Sequence, residues 1–144
     1  METDHPSMNP GRIVALDYGT RRVGVAIADP LRLFAQPHGT YSPDETVEVL
    51  LRLHAGEGIA VLVVGWPLLP DGGEGRATER VQEYINRLKK RLKGVAIEKM
   101  DERDTSREAV EALVEAGVPR KARRKKERID SAAAVLILQR YLEE

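Results

Sequence analysis

The sequence contains no cysteine in its 144 residues. Disulfides and thiolate metal sites are thereby excluded. Its three histidines, His5, His38 and His54, are scattered and form no ligand spacing of the zinc type. A metal would have to be held mainly by carboxylates, which favours magnesium or manganese. Net charge is lacking too. The 23 basic residues balance 23 acidic ones, so no overall field steers the chain to nucleic acid. No apolar run approaches the roughly 20 residues that span a bilayer. The opening METDHPSMNPGR has no apolar centre of a secretory signal. A soluble, cytoplasmic protein without membrane contact is expected.

What is present suits one compact domain, long enough to bury roughly 70% of the surface exposed by its unfolded chain. Residues 1–10 are polar, hold two prolines and show no periodicity, so they read as a mobile tail ahead of a domain over 11–144. The apolar runs in IVALD and VGVAIAD, joined by a turn around Gly19, predict two antiparallel strands. A third strand is expected from Leu33 to Thr40, made irregular by Pro37 and Gly39. Ser42, Pro43 and Glu45 then carry the pattern of a capped helix start, with Gly56 and Gly58 to end the helix. The run Ile59–Val64 is a strand apolar on both faces. A helix over Arg76–Leu92 and a strand at VAIEKM follow, then a helix from Thr105 capped with Glu108, and last a mostly apolar helix over Ile129–Leu142. The order β-β-β-α-β-α-β-α-α gives an α/β domain with a mixed sheet covered by helices.

Acidic residues stand where the apolar strands stop. Asp17 follows IVAL, Asp101 and Glu102 follow VAIEKM, and Asp130 opens the last helix. In open α/β sheets, ligands gather at the carboxyl ends of strands. Carboxylates meeting there repel one another unless a proton or a divalent cation intervenes, and a cation pair so held can activate water against a phosphodiester. Each acid also has a plainer role: Asp17 bonding its own turn, Asp101 and Asp104 starting the next helix, Asp130 facing a helix dipole. Spacing alone leaves Glu102 evenly divided.

The loop Gly65–Gly75 holds four glycines and two prolines before a helix start, a backbone able to approach phosphate, although neither Walker nor dinucleotide spacing is present. Trp66, the single tryptophan, is expected either to stack on a base or to pack under that loop. Between Arg120 and Arg128, RKARRKKER sets seven basic residues against one acidic. Its place just ahead of Asp130 makes Lys125 and Lys126 candidate phosphate contacts. Thr20, Arg21 and Arg22 in the turn after Asp17, with Gly65 and Trp66, complete the candidate nucleic-acid contacts.

The segments RIVALDYGTRRVGVAIAD, VVGWPLLPDGGEG, DERDTSREA and KKERIDSAAAVLILQRYL resemble, in order and spacing, four signature segments of the YqgF/RuvX family. Its members are assigned to pre-16S rRNA processing and, earlier, to Holliday junction resolution. The resemblance covers Gly11 to Leu142. It implies a ribonuclease H-like fold, a five-stranded mixed sheet in the order 3-2-1-4-5 with helices on both faces, and a cytoplasmic nuclease using magnesium or manganese. Carried over by position, the family's acids fall on Asp17, Glu102 and Asp130, with Asp101 as an auxiliary ligand. Trp66 and Asp104 depart from the family pattern, which commonly has aliphatic residues there.

The turn DYGT also resembles the phosphate loop of actin-like ATPases and sugar kinases, but those enzymes close two such domains on a nucleotide. A non-catalytic nucleic-acid or ribosome-assembly factor is a third reading. RNA is the favoured substrate by analogy with the family and DNA the alternative. A four-way junction would require two coordinated cuts and so a homodimer.

Overall fold

A computed structural model describes residues 11–103, 105–115, 117 and 126–144. Its strands are β1 (Arg12–Tyr18), β2 (Val23–Ala28), β3 (Ala35–Tyr41), β4 (Ile59–Trp66) and β5 (Ala96–Asp101). The helices are α1 (Pro43–Gly56), α2 (Arg76–Arg91), α3 (Thr105–Glu115) and α4 (Lys126–Leu142). The sheet order is β3-β2-β1-β4-β5. β1, β2 and β3 pair antiparallel, whereas β1–β4 and β4–β5 are parallel. The carboxyl ends of β1, β4 and β5 therefore lie along one edge. No helix among the described residues is long and apolar enough to cross a membrane.

Each local start follows from its residues. Ser42 Oγ accepts from the Glu45 amide and the Glu45 carboxylate accepts from the Ser42 amide, the reciprocal cap foreseen for α1. Those bonds hold the Glu45 carboxyl below its usual pKa. Gly58, at φ +86°, takes a backbone that other residues adopt only under strain, and its carbonyl receives the Arg12 amide where β1 begins.

Three boundaries differ from the sequence reading by two residues or more. β3 starts at Ala35 and not Leu33, because the Asp29 carboxylate takes the amides of Leu31, Leu33 and Phe34 and holds this stretch as a turn. The register shift expected of an irregular edge strand is present, between Val25 and Ala26 on the β2 side. β4 continues through Gly65 and Trp66 because they pair with Met100 and Asp101. These two residues belong to a central strand and not to the loop. α4 begins at Lys126, ahead of Ile129.

Two cores sandwich the sheet. On one face Val14, Leu16, Leu62 and Val64 pack against Leu50 of α1 and Ile85 and Leu88 of α2. On the other, Ile13, Ala15, Ala26 and Val63 pack against Ala134, Ile137 and Leu138 of α4. The second face is rich in alanine and glycine, which lets α4 lie close to the strands. Glu108 pairs with Arg140 and ties α3 to α4.

Candidate active site

Strand parity decides which acids can meet. Along β1, Ile13 and Ala15 face α4 while Val14 and Leu16 face α1 and α2. Continuing the alternation puts Asp17 on the α4 face. Tyr18 goes to the other face, where its ring lies 4.5 Å from that of Tyr84. On β5, Ile97 packs with the α1/α2 core and Met100 with the α4 core. Glu102 has the parity of Met100, and Asp101 the opposite. The Glu102 amide donates to Trp66 O at 3.1 Å, carrying the ladder one residue past β5.

The result is a hydrogen bond between the carboxyl groups of Asp17 and Glu102. Burial pushes the Glu102 carboxyl far above the usual glutamate value of 4.5, and the charge of Asp17, that hydrogen bond and the charge of Asp101 push it further. With its pKa so raised, Glu102 in its protonated form donates a hydrogen bond to Asp17. The floor beneath is Gly65: a Cβ there would come within 2.7 Å of Glu102 Oε1 and 2.7 Å of Ile137 Cδ1.

On its other side Asp17 pairs with Gly24, and Gly24 with Thr40. The Thr40 hydroxyl lies 3.5 Å from that of Ser131, the residue after Asp130. Asp130 stands four and seven positions before Ala134 and Ile137, both buried against the sheet. The side chains of Asp130 and Lys126 lie outside the described residues, as does all of Lys125. Asp104, named as a departure from the family pattern, lies outside them too.

Asp101 is engaged elsewhere. Its Oδ2 accepts from Arg103 Nε and Nη2 at 2.9 and 2.7 Å, and its Oδ1 accepts from the Arg103 amide at 2.9 Å. These bonds hold its carboxyl below the usual aspartate value. The pair lines a cleft with Leu68 and Pro70 at the carboxyl edge of the sheet. Arg103 escaped the sequence reading; its one signal was adjacency to Glu102. Trp66, on the face away from Asp17, is 9% exposed, and Lys99 Nζ sits 3.9 Å from its ring centroid. Its indole N–H donates to Glu74 at 3.2 Å. Thr20 and Arg21 are exposed and Arg22 half-buried, in the β1–β2 turn beside Asp17.

Chemically, two carboxyls in contact can share a proton or, once deprotonated, offer hard oxygen ligands to a divalent cation. Among the described residues no group of three such ligands forms. The oxygen-only donor set fits magnesium or manganese and not a soft metal.

Residues 11–144 match the family described as RuvX, Holliday junction resolvase. The chain belongs to that family. A Salinibacter ruber protein named "Putative pre-16S rRNA nuclease" is 53% identical over 131 residues, 91% of this chain and 92% of its own. A Chlorobaculum tepidum protein of the same name is 46% identical over 132 residues, 92% of this chain and 93% of its own. Among solved structures, T. thermophilus RuvC in complex with Holliday junction substrate superposes with a TM-score of 0.51 at 13% identity, covering 92% of this chain and 93% of that one. At that identity the likeness establishes the fold, and the RuvX chain shares RuvC's ribonuclease H-like architecture.

Proposed function

We propose that this protein is a divalent-metal-dependent nuclease that trims the 5′ end of pre-16S rRNA. The observation that carries the reading is the Asp17–Glu102 carboxyl pair at the carboxyl ends of β1 and β5, in a chain of the RuvX family. Asp17, Glu102 and Asp130 would hold magnesium or manganese, which when bound supplies a Lewis acid for the phosphodiester and lowers the pKa of water. Support for Asp130 comes from its place on α4, two turns before Ile137, and from the Ser131–Thr40 contact that brings this end of the helix to the row of Asp17.

The protein's own groups have separable tasks. Asp17 and Glu102, joined by a hydrogen bond, would have to give up the proton between them to serve as ligands. Thr20, Arg21 and Arg22, beside Asp17, and Lys125 and Lys126, just ahead of Asp130, would position the strand through its phosphates. Hydrolysis joins the water oxygen to phosphorus, breaks one phosphorus–oxygen ester bond, and returns a proton to the departing sugar oxygen. RNA is favoured because the relatives carry a pre-16S rRNA name. The family description favours a second substrate, a four-way DNA junction cut by a homodimer.

The test is a manganese-dependent cleavage panel of precursor 16S rRNA ends, single strands and four-way junctions, with wild type, Asp17→Asn and Asp130→Asn. Cleavage of the precursor end by wild type alone is expected. Cleavage of none of the substrates by wild type would sink the enzyme reading, and activity surviving in Asp17→Asn would place it in a contaminant. Preferential junction cleavage would move the assignment to DNA.

A further inference from the structure

Asp17 and Glu102 touch although they do not stand on neighbouring strands. β4 runs between β1 and β5. With strands roughly 4.8 Å apart, the two backbones are about 10 Å from each other. Both side chains must lean over β4 to meet, and the β4 residue at that level on the α4 face is Gly65. It follows Val64, which pairs with Leu16, and itself pairs with Met100.

The glycine is not there for its backbone. Gly65 is not among the glycines with positive φ, so its conformation is open to any residue. In a central strand, glycine costs roughly 0.5–1 kcal/mol relative to alanine. What it supplies is volume. An added Cβ would lie 2.7 Å from Glu102 Oε1, 2.9 Å from Glu102 Cδ and 2.7 Å from Ile137 Cδ1. The side chains of Glu102, just past β5, and of Ile137 in α4 thus converge on the space that a Cβ would fill.

We propose that Gly65 is a positioning residue: its missing side chain is the seat of the Glu102 carboxyl and sets how close that group comes to Asp17. Gly65 then acts through Glu102 and makes no phosphate contact of its own, unlike the phosphate-binding role its glycine-rich neighbourhood first indicates. The consequence for metal binding rests on the nuclease reading above; the geometric part does not.

Both side chains that an added methyl would meet are flexible at their ends, so Gly65→Ala is expected to fold and to displace Glu102. Three measurements test this on the full chain. A crystal structure of metal-free Gly65→Ala is expected to show the Glu102 carboxyl out of hydrogen-bond range of Asp17. Calorimetric titration with Mn2+ alone is expected to show affinity lowered by about tenfold or more, the scale of lost ligand support. Binding of a single-stranded RNA in EDTA is expected to stay within about twofold, since the phosphate contacts are elsewhere. If Gly65→Ala fails to fold, Gly65→Ala combined with Ile137→Val removes the Ile137 clash and leaves that with Glu102, so the same three results are expected of it. An Asp17–Glu102 contact retained in the Gly65→Ala crystal structure, unchanged Mn2+ affinity with weakened RNA binding, or Mn2+ affinity restored by Ile137→Val each overturns the proposal. Absence of Mn2+ binding by wild type would instead overturn the metal reading, and the crystal structure would still decide the role of Gly65.

Discussion

Glu102 donates a hydrogen bond to Asp17 across a strand that neither residue belongs to. A half-buried carboxyl pressed against a second one costs the fold stability if it ionises. The folded-state pKa of Glu102 lies above the usual 4.5, so between that value and the raised one the folded chain retains a proton that the unfolded chain releases. Stability from this group is therefore complete at acid pH and is lost as pH rises from about 4.5 upward.

Glu102→Gln keeps the shape and removes the ionisation. In EDTA it should raise Tm at pH 8 by several degrees, on the scale of roughly 3–5 °C per kcal/mol for a domain of this size. It should also flatten the decline in Tm between pH 5 and pH 8 on a series run with wild type, while abolishing cleavage. A variant less stable than wild type at pH 8 would show that the carboxylate is compensated in the metal-free fold.

Metal addition should have the opposite dependence on Glu102. A cation that binds only the folded chain stabilises it by RT ln(1 + [L]/Kd), about 2.7 kcal/mol at a hundredfold excess over Kd. Wild type should gain thermal stability on titration with MgCl2 or MnCl2, more at pH 8 than at pH 5, where protons compete for the carboxyls. Asp17→Asn and Glu102→Gln should gain little. Equal gains in all three proteins would locate the cation elsewhere.

Much of this was legible in the sequence. The capped start of α1, the doubly apolar β4 and the strand-end position of Asp17 follow from residue type and period. The fate of the two neighbours Asp101 and Glu102 was not legible by spacing, because both follow the same strand. Separating them takes strand parity, and parity can be counted only once Ile97 and Met100 are known to face different cores. The partnership of Asp101 with Arg103 is a turn contact without periodicity. Gly65 read as loop because glycines follow it, and only its pairing with Met100 makes it part of the sheet. Side-chain volume at that point depends on α4, which comes from the far end of the chain.

Asp101 offers a sharp contrast with Glu102. Its bidentate bond to Arg103 joins two half-exposed groups, so loss of the pair should cost less than about 1 kcal/mol after solvent screening. If Asp101 serves Arg103, Asp101→Asn should leave Mn2+ affinity within about twofold, because ligand removal costs far more. A tenfold loss of Mn2+ affinity in calorimetry would restore Asp101 as an auxiliary ligand.

Trp66 supplies its own probe, being the single tryptophan in the chain. Its ring lies on the α2 side of the sheet, covered by Lys99 and tied to Glu74, with 9% of its surface exposed. The carboxyl pair is on the opposite face. The sheet therefore separates a base bound at the carboxyl pair from the indole. Emission excited at 295 nm should be shifted to the blue relative to the urea-unfolded protein. Saturating single-stranded RNA should leave its intensity and position unchanged, whereas a stacked base would quench it. Strong quenching that titrates with RNA binding, and that disappears in Lys99→Ala, would mean that Lys99 gives way to a base and that nucleic acid uses both faces of the sheet. The expected result instead gives Trp66 a purely structural role. Trp66→Phe would then keep an aromatic ring beneath Lys99 but lose the Glu74 hydrogen bond and part of the packed indole, at a cost of roughly 1–3 kcal/mol in urea unfolding, without change in RNA affinity.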